Sequence, residues 1–148
     1  MVKKVLFMML LTIGIIISSQ VADTSDVSAA SCPIRGSDFT YKAWMSLGSL
    51  TIRQTFVIEN VSNREVYLSV DDFVLRKSGH NTVKPGHWGG GFSKRLDPPL
   101  YDKSSYNLYP GDVIGVSLDY DVDDNTAIGW SLCYRNFGNM VVLATIRE

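Results

Sequence analysis

Between Val113 and Val122 the chain alternates with a period of two. Ile114, Val116, Leu118, Tyr120 and Val122 fall on one face, and Gly115, Ser117, Asp119 and Asp121 on the other. Successive side chains point to opposite sides only in a strand, so this pattern predicts a strand with one buried and one solvated face. Tyr109-Pro110-Gly111-Asp112 before it and Asp123-Asp124-Asn125 after it are turn-forming sequences. A second alternating run sets Ile128, Trp130, Leu132 and Tyr134 against Ser131, Cys133 and Arg135. Asn136-Phe137-Gly138-Asn139 then turns the chain into Met140–Ile146. The three runs read as an antiparallel meander and predict a β-sandwich.

Upstream, four further runs carry strand patterning. Asp38–Met45 places Phe39, Tyr41 and Ala43 opposite Thr40, Lys42 and Trp44, after a connector at Pro33–Ser37. Leu50–Asn60 places Leu50, Ile52, Phe56 and Ile58 on one face, which Gln54 interrupts. Glu65–Val70 and Phe73–Lys77 follow, separated by Asp71-Asp72. Together with the three C-terminal runs, these make seven short strands and no helical period. Two more short strands are expected near Thr82-Val83 and Tyr106–Tyr109, with an exposed loop at Gly86–Leu100. The class this predicts is all-β: an immunoglobulin-like antiparallel β-sandwich of about seven to eight strands.

Residues 1–30 are read apart from that domain. Lys3 and Lys4 precede the uncharged apolar run Val5–Ile17, the pattern of a signal peptide. The run is short of the ~20 apolar residues of a membrane span, and Ser18-Ser19-Gln20 ends it. Cleavage after Ser28-Ala29-Ala30 leaves residues 31–148 as one domain; a cut after Ala22 and an uncleaved anchor are the alternatives. The mature chain then has twelve basic and thirteen acidic residues, with no concentrated basic face for nucleic acid and no polybasic membrane surface. The expectation is a secreted protein with no membrane insertion after cleavage, either released or retained at the cell envelope.

The two cysteines, Cys32 and Cys133, are a hundred positions apart. In an exported chain they imply a disulfide, worth about 4–5 kcal/mol on the chain-entropy model. It would fasten the N-terminal segment to the outer face or edge of a sheet. Two free thiols are one alternative. Lipidation of Cys32 is another, although Ala29-Ala30-Ser31 is a poor lipobox and fourteen residues separate the cysteine from the apolar run.

Three features occur in order: Phe56-Val57-Ile58-Glu59-Asn60-Val61-Ser62; Asp72-Phe73-Val74-Leu75 with Gly79; and Leu108-Tyr109-Pro110-Gly111-Asp112 leading into Gly115–Val122. Together they resemble the telokin-like, immunoprotective extracellular immunoglobulin-like domains of exported bacterial proteins, over about Leu50–Ile146. The resemblance implies a fold and an exported location. It brings no catalytic residue, because that family has no agreed activity. An antibody-type domain is a poor comparison, since Ser131 rather than Tyr lies two residues before Cys133.

Candidate sites are few. Asp119, Asp121, Asp123, Asp124 and Asn125 suggest a calcium loop, but Asp124 stands where an EF-hand needs Gly and Trp130 where it needs Glu. A solvated strand face running into a polar turn accounts for them. His80 and His87, with Asp97 or Asp102, match no zinc spacing, and no Gly-x-Ser-x-Gly elbow is present. No metal, cofactor or catalytic residue is therefore assigned. Trp88-Gly89-Gly90-Gly91-Phe92, with Tyr101 and Tyr106, is the candidate binding surface, since exposed aromatics stack on sugars or anchor protein partners. The alternative is that Trp88 and Phe92 cap one end of the core. The sequence reading is a non-enzymatic domain that binds a protein or cell-envelope glycan through the 79–110 region. A structural domain that self-associates through a sheet edge is the second reading, and a secreted hydrolase the third.

Overall fold

A computed structural model describes residues 32–86, 90–94 and 103–148; the leader read at residues 1–30 lies outside them. Among the described residues there are nine strands and no α-helix: β1 (Ile34–Ser46), β2 (Ser49–Asn60), β3 (Val66–Ser69), β4 (Phe73–Arg76), β5 (Gly91–Ser93), β6 (Ser105–Leu108), β7 (Val113–Val122), β8 (Ser131–Asn136) and β9 (Asn139–Thr145). A short 3-10 turn, Val70–Asp72, links β3 to β4. Ser69 caps it, with its Oγ accepting from Asp71 N and its own N–H donating to the Asp72 carboxylate. That turn is how Asp71-Asp72 interrupts the alternation.

All strand pairs are antiparallel. The sheets have the orders β1-β2-β7-β5, β3-β6 and β4-β8-β9. The expected C-terminal meander is corrected here: β7 pairs with β2 and β5, and β8 pairs with β4 and β9. The chain changes sheet across residues 123–130. Ile128, expected to point inward, is exposed in that connection, and β8 begins only at Ser131.

The alternation in β7 does select the core. Ile114, Val116, Leu118, Tyr120 and Val122 are all buried, and they pack in one cluster with Ile52, Phe56 and Ile58 of β2, Leu68 of β3, Phe73 and Leu75 of β4, and Leu132 and Tyr134 of β8. Phe73 is the meeting point of this cluster. Its ring lies 5.6 Å from Phe56, 6.1 Å from Phe92 and 5.3 Å from Tyr134. Its carbonyl accepts the Tyr120 hydroxyl at 3.1 Å, a buried hydrogen bond from β7 to β4. The opposite face of β7 is less solvated than its composition implies. Ser117 and Asp119 are both buried: Ser117 lies between Thr55 of β2 and Gly91 of β5, and Asp119 is paired with Arg53 of β2.

Strand β1 is longer than expected and takes in the Pro33–Ser37 connector from Ile34 onward. A bulge interrupts its pairing between Ser37 and Thr40, where Asp38 has φ 54°. Gly36 is required there. A Cβ at this position would come within 2.5 Å of the Phe39 ring, which stacks on Phe56 at 5.5 Å. At the far end of β2, Asn60 is buried and satisfied. Its amide donates to the Arg64 and Leu108 carbonyls at 2.8 Å each and accepts from Ser62 N and Oγ at 2.9 and 2.7 Å. Asn-x-Ser is thus a tie between three segments.

Between β4 and β7 the expectations fare unevenly. Val83 makes only an isolated bridge to Leu75, with paired hydrogen bonds of 2.9 Å. Ser105–Leu108 is a strand, one residue upstream of the expected Tyr106–Tyr109. The expected exposed loop at 86–100 contains β5, which is buried.

Replacing Phe73 by Ala should cost about 3–5 kcal/mol, the usual penalty for emptying an aromatic core site. Tyr120→Phe should cost only about 1–2 kcal/mol, by leaving the Phe73 carbonyl unpaired. Urea unfolding followed by tryptophan fluorescence separates the two; equal midpoints for Phe73→Ala and wild type would refute this account of the core.

Candidate binding surface

Of the residues singled out from sequence for a binding surface, Phe92 and Tyr106 are among those the structure describes. Trp88 and Tyr101 lie outside the described residues. Phe92 is corrected: it is fully buried, edge-on to Phe73, because β5 is hydrogen-bonded to β7 and turns this side chain into the core. Tyr106 is half-buried against the same core, with the Lys103 ammonium 5.4 Å from its ring centroid.

The disulfide is corrected as well: Cys32 and Cys133 are not bonded. Cys32 packs against the core cluster and its thiol donates to the Ile34 carbonyl at 3.2 Å. Cys133 lies outside that cluster, next in β8 to the inward Tyr134, and neighbouring strand positions face opposite ways. The sheet therefore stands between the two thiols.

The acidic run is occupied by protein partners. Arg53 Nε and Nη2 donate to the two Asp119 oxygens at 2.6 Å each, and the Arg53 guanidinium lies 5.5 Å from the Trp44 ring centroid. Thr51 Oγ1 donates to Asp121 at 2.6 Å. Asp124 pairs with Lys77 and accepts from Thr126 N, and the Lys77 hydrogen bond holds its carboxyl below the usual range. His80 Nδ1 is 3.1 Å from Asp123, and its ring is 5.4 Å from that of Trp130. Among the described residues no three His, Cys, Asp or Glu side chains come together as a metal site requires. His87, Asp97 and Asp102 lie outside those residues.

Away from that acidic run, a concavity lies between β3 and the β8–β9 hairpin. It is a groove of about 460 Å³, with Pro33, Val66 and Tyr134 among its lining and charges of both signs from Arg64, Glu65, Asp72 and Arg135. Tyr67 and Phe137 also line it, and both are exposed. Phe137 is 90% exposed and has φ 46°, followed by Gly138 at φ 86°. A two-residue hairpin loop with both φ positive favours Asn-Gly or Gly-Gly, and an ordinary side chain in that conformation costs ~1–2 kcal/mol. The β1–β2 hairpin repeats the arrangement at the opposite end, with exposed Leu47 at φ 50° before Gly48 at φ 86°. Sequence reasoning passed over Phe137 because Asn-Phe-Gly-Asn reads only as a turn. The detectable signal was an aromatic at the position where that turn favours Asn or Gly.

Comparison with protein-family models, with curated proteins and with solved structures returns no match. Among the described residues no helix is long and apolar enough to cross a membrane.

Two outcomes follow from the thiols and phenols. Because the cysteines are unbonded, reductant should leave the melting temperature unchanged, and thiol titration of the unfolded, unreduced protein should return two groups. Burial raises the pKa of Cys32 and Cys133 above 9.0, pushes Tyr134 up to about 12 (with Asp72 and Cys32 adding to it), and drives Tyr120 well above 10.0. These groups ionise earlier in the unfolded chain, which then binds fewer protons than the fold. Their contribution is fully present below about pH 9 and is lost as pH rises through the folded values. Melting temperature should therefore fall steadily above about pH 9; a rise over that interval would contradict the burial of these side chains.

Proposed function

We propose that this chain is an exported, non-enzymatic binding domain with an immunoglobulin-like sandwich architecture, and that it takes a protein partner in the groove beside Phe137. Export rests on Lys3, Lys4 and the apolar run Val5–Ile17. The sandwich reading is supported by antiparallel sheets whose apolar faces share one core. A binding rather than catalytic role is supported by the engagement of His80 with Asp123 and Trp130 instead of with a serine or cysteine.

One observation carries the proposal. Phe137 combines an exposed aromatic ring with a left-handed backbone, two unfavourable features in the isolated domain, at the rim of the groove. Strain of that kind concentrates at contact sites, and aromatic side chains at the centre of an interface carry much of its binding energy. Arg64, Arg135 and Glu65 supply both charge signs beside it, which suits a polypeptide better than a neutral sugar. The groove replaces the 79–110 loop as the proposed contact, because Phe92 lies in the core.

Phe137→Asn tests this reading through two opposite effects. Asn accepts the left-handed conformation, so the variant should be as stable as the parent or more stable, by up to about 1 kcal/mol. Its binding to envelope fractions of the producing cell should fall by at least about tenfold. Leu47→Asn should give the same relief and leave binding unchanged. Undiminished binding by the Phe137 variant would refute the groove as the contact.

A further inference from the structure

Sheet edges expose unpaired N–H and C=O groups, and folded proteins protect them with charge, bulges, short length or cover. Most edges described here have such a device. The free side of β1 carries Arg35, Asp38 and Lys42 and is broken by the bulge at Asp38. The free side of β4 is taken by Val83. Strand β5 is three residues long, and β3 and β6 are four each.

Strand β9 differs. Its sequence, Asn-Met-Val-Val-Leu-Ala-Thr over Asn139–Thr145, has no charge, no proline and no glycine. Its one irregularity is the register shift opposite Leu132 and Cys133, which leaves Asn139–Val142 in regular pairing with β8. Among the described residues no strand pairs with its outer side. Val142, at mid-strand on the face away from the core, is 56% exposed.

We infer that β9 pairs antiparallel with β9 of a second copy of this chain, about a two-fold axis, so that two β4-β8-β9 sheets become one continuous sheet. The occupant is a second copy because of what β9 lacks. A two-fold pairing sets each strand against itself, so any charge on β9 would face its own kind nearby, and there is none. Selection of a foreign strand needs complementary or repulsive groups, and β9 offers backbone hydrogen bonds and uncharged side chains, with Met140 and Val142 between Asn139 and Thr145. A copy of itself matches both. No residue of β9 lines the groove, so the two proposals are tested by different variants.

Sedimentation equilibrium of the full chain over a wide concentration range provides the test, with circular dichroism to confirm the fold. The wild type should show a concentration-dependent monomer–dimer equilibrium. Val142→Lys, which places two ammonium groups near the axis, should raise the dimer dissociation constant at least about tenfold. Thr40→Lys, on the already charged β1 edge, should leave it unchanged. If Val142→Lys loses its β spectrum, Met140→Lys carries the same expectation from the neighbouring outward position. A wild type that remains monomeric throughout, or a dimer indifferent to the β9 lysine, overturns the inference.

Discussion

The fold depends on Phe73. Its ring touches Phe56 and Phe92 from one sheet and Tyr134 from its own, and its carbonyl holds the Tyr120 hydroxyl. Ring packing alone is tolerant of small shifts, because dispersion and apolar burial have little directionality. The hydrogen bond adds direction. A buried carbonyl and a buried phenol each carry a penalty when unpaired, so β7 and β4 are held at one relative position. The Phe39–Phe56 stack carries the same contact out to the bulged part of β1.

A second, polar set of contacts fixes the first sheet from outside. Arg53 on β2 lies directly opposite Asp119 on β7 and makes a two-pronged ion pair with it, while Trp44 of β1 lies beside the guanidinium. Three neighbouring strands are thus locked in register on the face away from the core. Paired charges of this kind add modest stability where they are partly solvated. Their greater effect is on register, since a one-residue slip of either strand would turn its core-facing side chains outward. The same pairing explains why an acidic run that resembles a cation loop has its oxygens already engaged.

Both hairpins end in a strained apolar residue, Leu47 at one end and Phe137 at the other. Phe137 stands beside a groove with charged walls. Position separates a tolerated oddity from a candidate anchor, and position is a property of the assembled sheets.

Local patterning made much of the fold legible. The inward set of β7 and the existence of β2, β3, β4, β8 and β9 follow from alternation and turn residues, because strand periodicity is a local property of the chain. Strand β5 was hidden, since three residues at the end of a glycine run have no period to read. Phe92 was misplaced for the same reason, and the disulfide because a shared compartment says nothing about which side of a sheet each thiol faces.

By itself, then, the sequence determined that this chain forms antiparallel strands, and which alternate residues they bury. Tertiary structure alone decided that β7 and β8 belong to different sheets, that Ser117 and Asp119 are covered, and that Phe137 borders a groove. Side-chain alternation is set by each strand's own geometry. Strand partners, the cover over a face and the walls of a groove come from segments tens of residues away, which only the folded chain brings together.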